Sequence, residues 1–183
     1  MNGYEFLELV KKRQSTRGYS PAPVEEEKLN RCLEAARLAP SACNAQPWKF
    51  IVVDQTELRH QIAQATSSRV LNMNHFTMQA PVLIVIVMEK ANFSSSVGQV
   101  LKDKEYPLMD IGIAAENFCL QAVAEGMGTC ILGWFDEPKV KKLLNIPKNK
   151  RIPLIITLGY PSSEEIRPKR RKEITEIVSR NGY

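Results

Sequence analysis

The chain has 183 residues and a formal net charge of +5, and 44% of its residues are hydrophobic and 25% charged. These values are typical of a globular protein and exclude a disordered or fibrous chain, and the length predicts one domain over residues 1–183. The four cysteines lack CxxC or Cys/His ligand spacing, so we expect reduced thiols, no metal site and a cytoplasmic protein. The longest apolar runs are too short to cross a bilayer, so no membrane partner is expected.

Two helices are predicted at the start of the chain. Residues 3–14 form the first. Pro23 can occupy the first turn of the second, where Glu25–Glu27 favour the positive end of the helix dipole. Apolar residues from Leu29 to Ala36 continue this helix at the i, i+3, i+4, i+7 spacing.

The middle of the chain alternates between strands and helices. Strands are predicted at 49–53, 82–88, 128–133 and 152–158, helices at Gln55–Ala65 and Arg69–Gln79, and a polar loop or lid at 89–105. The run Val82–Val87 is apolar on both faces, which is typical of a central strand covered by helices on both sides. The alternation predicts an α/β or α+β sandwich.

Residues 108–127 form the most apolar predicted helix. Its apolar side chains occur nearly all round the helix, so it must be buried on every side. In a chain of this size, such a helix lies either at the centre of the core or in a large subunit interface. No Gly-x-Gly-x-x-Gly or Walker A loop is present, which argues against a Rossmann or P-loop nucleotide site.

Two short segments carry the clearest chemistry. Arg13–Arg17 places two guanidinium groups and two hydroxyls within five residues, a good match to a phosphate monoester. The alternative is a solvated basic helix end, since Arg13 also complements the helix dipole. Pro40–Trp48 is a polar, turn-rich connection, where binding residues commonly lie.

Both segments also carry a family resemblance. Arg-x-Ser-x-Arg at 13–17, followed by Pro-Ser-x-x-Asn-x-Gln-Pro-Trp at 40–48, resembles the FMN-dependent nitroreductase family. Four later segments agree, in the order of the family: Asp110–Gly128, Gly133–Asp136, Leu158–Pro161 and Arg167–Lys172. The resemblance implies an α+β fold with a mixed β-sheet flanked by helices. It also implies a homodimer with the 108–127 helix in the subunit interface. The C-terminal segment would reach onto the partner subunit, and Ile174–Val178 has the alternation of such an added strand.

The resemblance implies an FMN site at the subunit interface. The residues that would hold the phosphate and ribityl chain are Arg13, Gln14, Ser15 and Arg17, with Lys169 and Arg171 closing over the phosphate and Arg170 as a substitute. The residues that would approach the ring from the opposite subunit are Pro40, Ser41, Ala42 and Asn44. Asn72 would bond the pyrimidine edge, although a solvent-facing helical asparagine is an equal alternative. Ile131, Leu132 and Gly133 would pass beside the flavin, and many relatives carry an acidic residue where this chain has Leu132.

The basic run at Arg167–Lys172 permits a competing interpretation. Alone it resembles a nuclear-localisation signal or a nucleic-acid tail. It lies between apolar segments, however, and no aromatic residues are interleaved with it for stacking on bases. Nucleic acid is therefore the less favoured partner.

No residue is required as a general acid or base, which fits chemistry carried by a flavin. The resemblance implies an oxidoreductase in which NADH or NADPH reduces FMN and a small-molecule acceptor then takes the electrons by a ping-pong mechanism. Acceptors could be nitroaromatics, quinones, other flavins or enones. Two alternatives stay open. One is another flavin enzyme of this fold, such as a dehalogenase, a flavin-cleaving enzyme or a dehydrogenase; the other is a non-catalytic flavin- or nucleic-acid-binding module.

Overall fold

The computed structural model describes residues 2–67, 73–90 and 104–183. Its helices are α1 (Gly3–Lys12), α2 (Glu26–Arg37), α3 (Thr56–Thr66), α4 (Tyr106–Ala124), α5 (Glu137–Leu143) and α6 (Ile174–Ile177). Its strands are β1 (Trp48–Val53), β2 (Val82–Met88), β3 (Gly128–Leu132) and β4 (Arg151–Gly159), and two 3₁₀ turns cover Ala42–Asn44 and His75–Gln79. The four predicted strands are thus confirmed.

The sheet is the centre of the fold. Its strand order is β1-β2-β4-β3. Because β2 is an inner strand, its alternate side chains enter two cores. Ile84 and Ile86 pack with α2 and α4 on one face, whereas Leu83, Val85 and Val87 pack with α3 and α5 on the other. This two-sided burial confirms the prediction for Val82–Val87 and gives the α+β fold.

The prediction of a mixed sheet needs correction. All three strand pairs are antiparallel. In the part of the chain that the structure describes, the isolated parallel bridge between Ser15 and Thr129 is the one parallel contact. In the single chain, Ile174–Ile177 is a short helix with exposed side chains, and the addition of 174–178 as a strand to the partner subunit stays a prediction. A strand needs a sheet edge with which to pair, and this segment does not reach one in its own chain.

The first helix ends earlier than the sequence predicts. Asn2 caps its N-terminus in a capping box with Glu5, and the helix stops at Lys12 because Arg13 has ψ of 125°. The segment from Arg13 onward is therefore extended. The predicted helix Arg69–Gln79 is a 3₁₀ turn over His75–Gln79, and its residues 69–72 lie outside the described ranges.

Helix α4 is buried on most of its surface. Ile111, Ala114 and Phe118 have no exposed surface, but Met109 is 54% and Ile113 is 42% exposed. The core covers only part of this helix in the single chain, so its burial in a subunit interface stays a prediction. Among the described residues, no helix combines the length and hydropathy needed to cross a membrane.

Candidate phosphate and cofactor site

The segment Arg13–Arg17 lies against the start of β3. The backbone N–H of Thr16 donates to the carbonyl oxygen of Thr129 at 2.8 Å. Thr16 is buried, while Arg17 on the next position is exposed. The close approach depends on Gly128, because a Cβ there would lie 2.2 Å from Oγ1 of Thr16. The extended backbone places Arg13, Ser15 and Arg17 on the same side.

These three side chains line a cavity of about 380 Å³ together with the C-terminal basic run. The lining residues are Arg13, Gln14, Ser15, Arg17, Arg167, Pro168, Lys169, Arg170 and Arg171. The structure therefore brings together two basic clusters that are at least 150 positions apart in the sequence. All six of the phosphate-binding residues predicted from the resemblance are among them.

The cavity is strongly cationic. Its six basic side chains face one acidic group, because Nε of Arg13 lies 3.1 Å from Oε1 of Glu116 and the other five have no ion-pair partner among the described residues. Burial, with the charges of Arg13 and Arg171, lowers the pKa of the Lys169 ammonium. Repulsion between like charges is relieved by a bound anion. The arrangement therefore fits a phosphate dianion, with the Ser15 hydroxyl as a neutral donor.

Arg167 lines this cavity, although the sequence did not predict that it belongs to the site. Its guanidinium donates to the backbone carbonyl of Ser15, and its Nε donates to Oε1 of Gln14 at 3.3 Å. The signal was present in the sequence, since Arg167 lies two positions before Lys169 and thus on the same side of an extended segment. Lys169 in turn donates to the carbonyl of Lys11.

The turn after α2 carries the ring-contact residues predicted from the resemblance. Cys43, Asn44 and Gln46 all have positive φ, at 52°, 52° and 47°, which is rare for residues with a Cβ. The backbone N–H of Ala42 donates to both carboxylate oxygens of Asp110, at 3.2 and 3.1 Å. Pro40 and Asn44 are exposed, and Ser41 and Ala42 are partly exposed.

The end of β3 offers a backbone surface. Ile131 and Gly133 are exposed, whereas Leu132 is 4% exposed. Nothing lies within 4 Å of the position that a Cβ of Gly133 would occupy. Only the backbone of Leu132 can therefore face a ligand. From the phosphate end at Thr129, Gly133 lies four positions along the strand, roughly 13 Å.

In one chain, the turn 40–44 is separate from the cationic cavity, and none of its residues lines that cavity. The turn contacts α4 through Asp110, and the cavity contacts the same helix through Glu116. Six residues of helix turn by about 600°, so these two side chains emerge roughly 120° apart around α4. The structure thus does not bring the two predicted groups of site residues together within one chain.

Other candidate groups are placed as follows. Asn72 lies outside the described residues, as do positions 91–103 of the predicted loop. Within the ranges that the structure describes, no group of three or more His, Cys, Asp or Glu side chains could hold a metal ion.

Burial raises the pKa of Cys32 and of Cys119 to about 12, so these thiols are protonated at neutral pH and poor nucleophiles.

An α+β domain with a cationic cavity beside an edge strand fits a protein that binds an anionic ligand, and comparison with known proteins gives the family. The nitroreductase family profile matches residues 10–160. The chain therefore belongs to the nitroreductase family.

Solved structures and a curated relative agree with this assignment. The chain is 32% identical to a nitroreductase family protein from Clostridium novyi NT, covering 89% of this chain and 88% of that one with a TM-score of 0.74. It is 28% identical to an FMN-dependent nitroreductase from Clostridium difficile R20291, covering 97% and 99% with a TM-score of 0.79. It is also 28% identical to iodotyrosine deiodinase 1 of Sus scrofa, over 95% of this chain and 68% of that protein.

Proposed function

We propose that the protein is a homodimeric FMN-dependent oxidoreductase that uses NADH or NADPH to reduce nitroaromatic, quinone or related acceptors. The observation that carries this proposal is the cavity in which the Arg13–Arg17 segment meets the 167–171 run. Membership of the nitroreductase family supports it. When bound, FMN would supply the redox chemistry by accepting a hydride from the donor and passing electrons to the acceptor.

The residues present fit FMN. Arg17 and Lys169 would hold the phosphate from opposite walls of the cavity, and the Ser15 hydroxyl would add a neutral hydrogen bond. The backbone at Leu132 and Gly133 would lie beside the ring, because the open space above Gly133 permits close approach. Donor and acceptor would occupy the exposed ring face in turn, which gives ping-pong kinetics.

The homodimer part of the proposal rests on two uncovered surfaces. The ring-contact turn lies apart from the cavity of its own chain, so a second copy must bring its turn to the site. Met109 and Ile113 form an exposed apolar stripe on α4, and Ile174 and Ile177 are exposed in the C-terminal segment. These side chains are typical of a subunit interface.

A substitution within the stripe tests the dimer. Ile113→Glu places a carboxylate in the proposed interface, so we expect a monomer that has lost FMN. Gln64→Glu adds the same charge on the exposed surface of α3 and serves as the control. Light scattering after gel filtration measures the mass, and a dimeric, flavin-loaded Ile113→Glu protein would contradict the interface.

Anaerobic absorbance titration tests the reaction. The purified, FMN-loaded protein should lose its yellow absorbance on addition of NADH or NADPH and regain it on addition of a quinone or nitroaromatic. A yellow protein inert to both donors would leave the site but overturn the reductase assignment. A colourless protein that takes up no FMN would overturn the cofactor, and its binding to DNA or RNA would then favour the nucleic-acid alternative.

A second candidate is reductive removal of halogen from an aromatic substrate. It is favoured by the 28% identity to iodotyrosine deiodinase 1 of Sus scrofa over most of this chain. Release of iodide from 3-iodotyrosine by the reduced, FMN-loaded protein would support it. Turnover of quinones without iodide release would exclude it.

A further inference from the structure

Asp110 is a buried carboxylate that the proposed reaction does not use. It lies in the second turn of α4 and is 5% exposed. In the described ranges, its hydrogen-bond donor is the backbone N–H of Ala42, which reaches both oxygens at 3.1 and 3.2 Å, and no Lys or Arg pairs with it. A buried carboxylate with one neutral donor is costly. Its presence therefore needs a reason other than packing.

The turn that Asp110 holds is conformationally demanding. Cys43, Asn44 and Gln46 occupy the left-handed region within four positions. Such residues persist only where the surrounding structure fixes them. The hydroxyl of Ser41 accepts from the N–H of Gln46 at 2.9 Å, which closes the turn on itself. Asp110 joins the closed turn to α4 through the N–H of Ala42.

Internal bonds use most of the backbone donors of this turn. The N–H of Ala42 donates to Asp110, and those of Asn44, Ala45 and Gln46 donate to Ser41 or Ala42. The Ser41 hydroxyl hydrogen and the Asn44 amino group are side-chain donors that this turn can offer to a ligand. Their positions depend on the backbone that Asp110 anchors.

We propose that Asp110 is a positioning residue for the flavin-facing turn, which it holds through the Ala42 N–H so that Ser41 and Asn44 meet the ring of a bound flavin. This inference rests on the proposed function. Asp110 acts on the ligand through the turn and does not itself touch it.

Three variants separate the hydrogen bond from the charge. Asp110→Ala removes the acceptor, whereas Asp110→Asn keeps Oδ1 as an acceptor for Ala42 and removes the charge. Ala42→Pro removes the donor from the other side of the bond, and Ser41 already has the extended backbone (φ −145°, ψ 153°) that precedes proline. Asn117→Ala is the matched control, since it removes another bond from α4 to a backbone group, the carbonyl of Ala35.

The readouts are amide hydrogen exchange of residues 41–46 in FMN-free protein, the Kd for FMN and the visible spectrum of the bound flavin. We expect faster exchange, a Kd at least tenfold higher and a shifted spectrum in Asp110→Ala and Ala42→Pro. Asp110→Asn should remain within about threefold of the unmodified protein, and Asn117→Ala should lower stability without changing the spectrum.

Two results would overturn the assignment alone. One is that Asp110→Ala has the same amide exchange rates and the same Kd for FMN as the unmodified protein. If Asp110→Ala does not fold, the same comparison is made with Ala42→Pro. The other is a loss in Asp110→Asn as large as in Asp110→Ala, since the retained acceptor would then be without effect. If the unmodified protein binds no FMN, the proposed function falls and the positioning role falls with it.

Discussion

Gln14 and Arg167 are joined by two hydrogen bonds across 153 positions of the sequence. Oε1 of Gln14 accepts from the backbone N–H of Arg167 at 3.2 Å and from its Nε at 3.3 Å. The amide nitrogen of Gln14 donates to the carbonyl of Glu165 at 2.9 Å. Both polar ends of this side chain are therefore used in holding the C-terminal run against the segment 13–17, and Gln14 builds the wall of the cavity.

Gln14→Ala should release that wall. It removes these bonds at an exposed site, so we expect a loss of about 1 kcal/mol in the free energy of unfolding. The larger expected effect is local: trypsin should cleave after Lys169 and Arg170 faster, because the segment opens more often. Gln61→Ala, which breaks a bond to Glu57 within α3, is the control. Cleavage rates equal to those of the unmodified protein would show that the run is held by other contacts.

Arg17→Ala tests the proposed phosphate contact. Arg17 donates to no described residue, so its removal leaves no partner unpaired within the described ranges. A charge-assisted bond contributes about 1.5–3 kcal/mol, which corresponds to a roughly 10- to 150-fold higher Kd for FMN. Quenching of flavin fluorescence measures the Kd. Arg37→Ala, whose arginine pairs with Glu34 on the surface of α2, should bind FMN normally. Full affinity in Arg17→Ala would remove this residue from the phosphate site.

Two glycines of the β3 region should respond differently to alanine. Gly128→Ala places a Cβ 2.8 Å from the Cβ of Thr16, and the overlap should cost about 1–3 kcal/mol of stability. The Cβ that Gly133→Ala adds meets no atom within 4 Å. The midpoint of urea denaturation should therefore be almost unchanged, while the affinity for FMN falls. Equal stability of the two variants would contradict the close approach at Gly128, and unchanged FMN affinity in Gly133→Ala would contradict a ring beside that backbone.

The lowered pKa of Lys169 predicts that FMN binding depends on pH. Its pKa in the FMN-free protein is below the ordinary 10.5, chiefly through burial and then through Arg13 and Arg171. Between these two pKa values the unfolded chain binds more protons, so the stability of the FMN-free protein rises with pH. A phosphate dianion favours the protonated lysine, so FMN affinity should fall across the same window.

The measurement is the Kd for FMN from neutral pH to pH 10.5 in the unmodified protein and in Lys169→Gln. The variant should bind FMN more weakly at neutral pH and lose less affinity as the pH rises. Comparison at each pH cancels any titration of the ligand itself. If the Kd for FMN changed with pH by the same factor in both proteins, the protonation of Lys169 would not contribute to phosphate binding.

The fold followed from the sequence where local pattern determines structure. The apolar run Val82–Val87 predicts a doubly covered strand, and the structure buries it between two cores. The segment 174–178 has strand alternation but forms a short helix in the single chain, because pairing depends on an edge that local sequence does not contain. The apolar pattern of α4 predicted burial on every side, but which surface covers Met109 and Ile113 depends on a second chain and not on the local sequence.

The candidate site could be predicted in part. The types and spacing of Arg13, Ser15 and Arg17 indicate phosphate chemistry, and the structure adds the C-terminal run beside them. The link between Asp110 and Ala42 could not be predicted, because it joins residues 68 positions apart. Tertiary packing, which brings α4 against the turn, determines that contact.

The most direct test of the central claim compares FMN with riboflavin as ligands of the same FMN-free protein. The two share the ring and ribityl chain and differ in the phosphate, which the cationic cavity is proposed to hold. We predict that FMN binds at least 100-fold more tightly than riboflavin and that the difference shrinks strongly in Arg17→Ala and at high salt. Equal affinities for FMN and riboflavin would contradict the assignment of this cavity as the phosphate site.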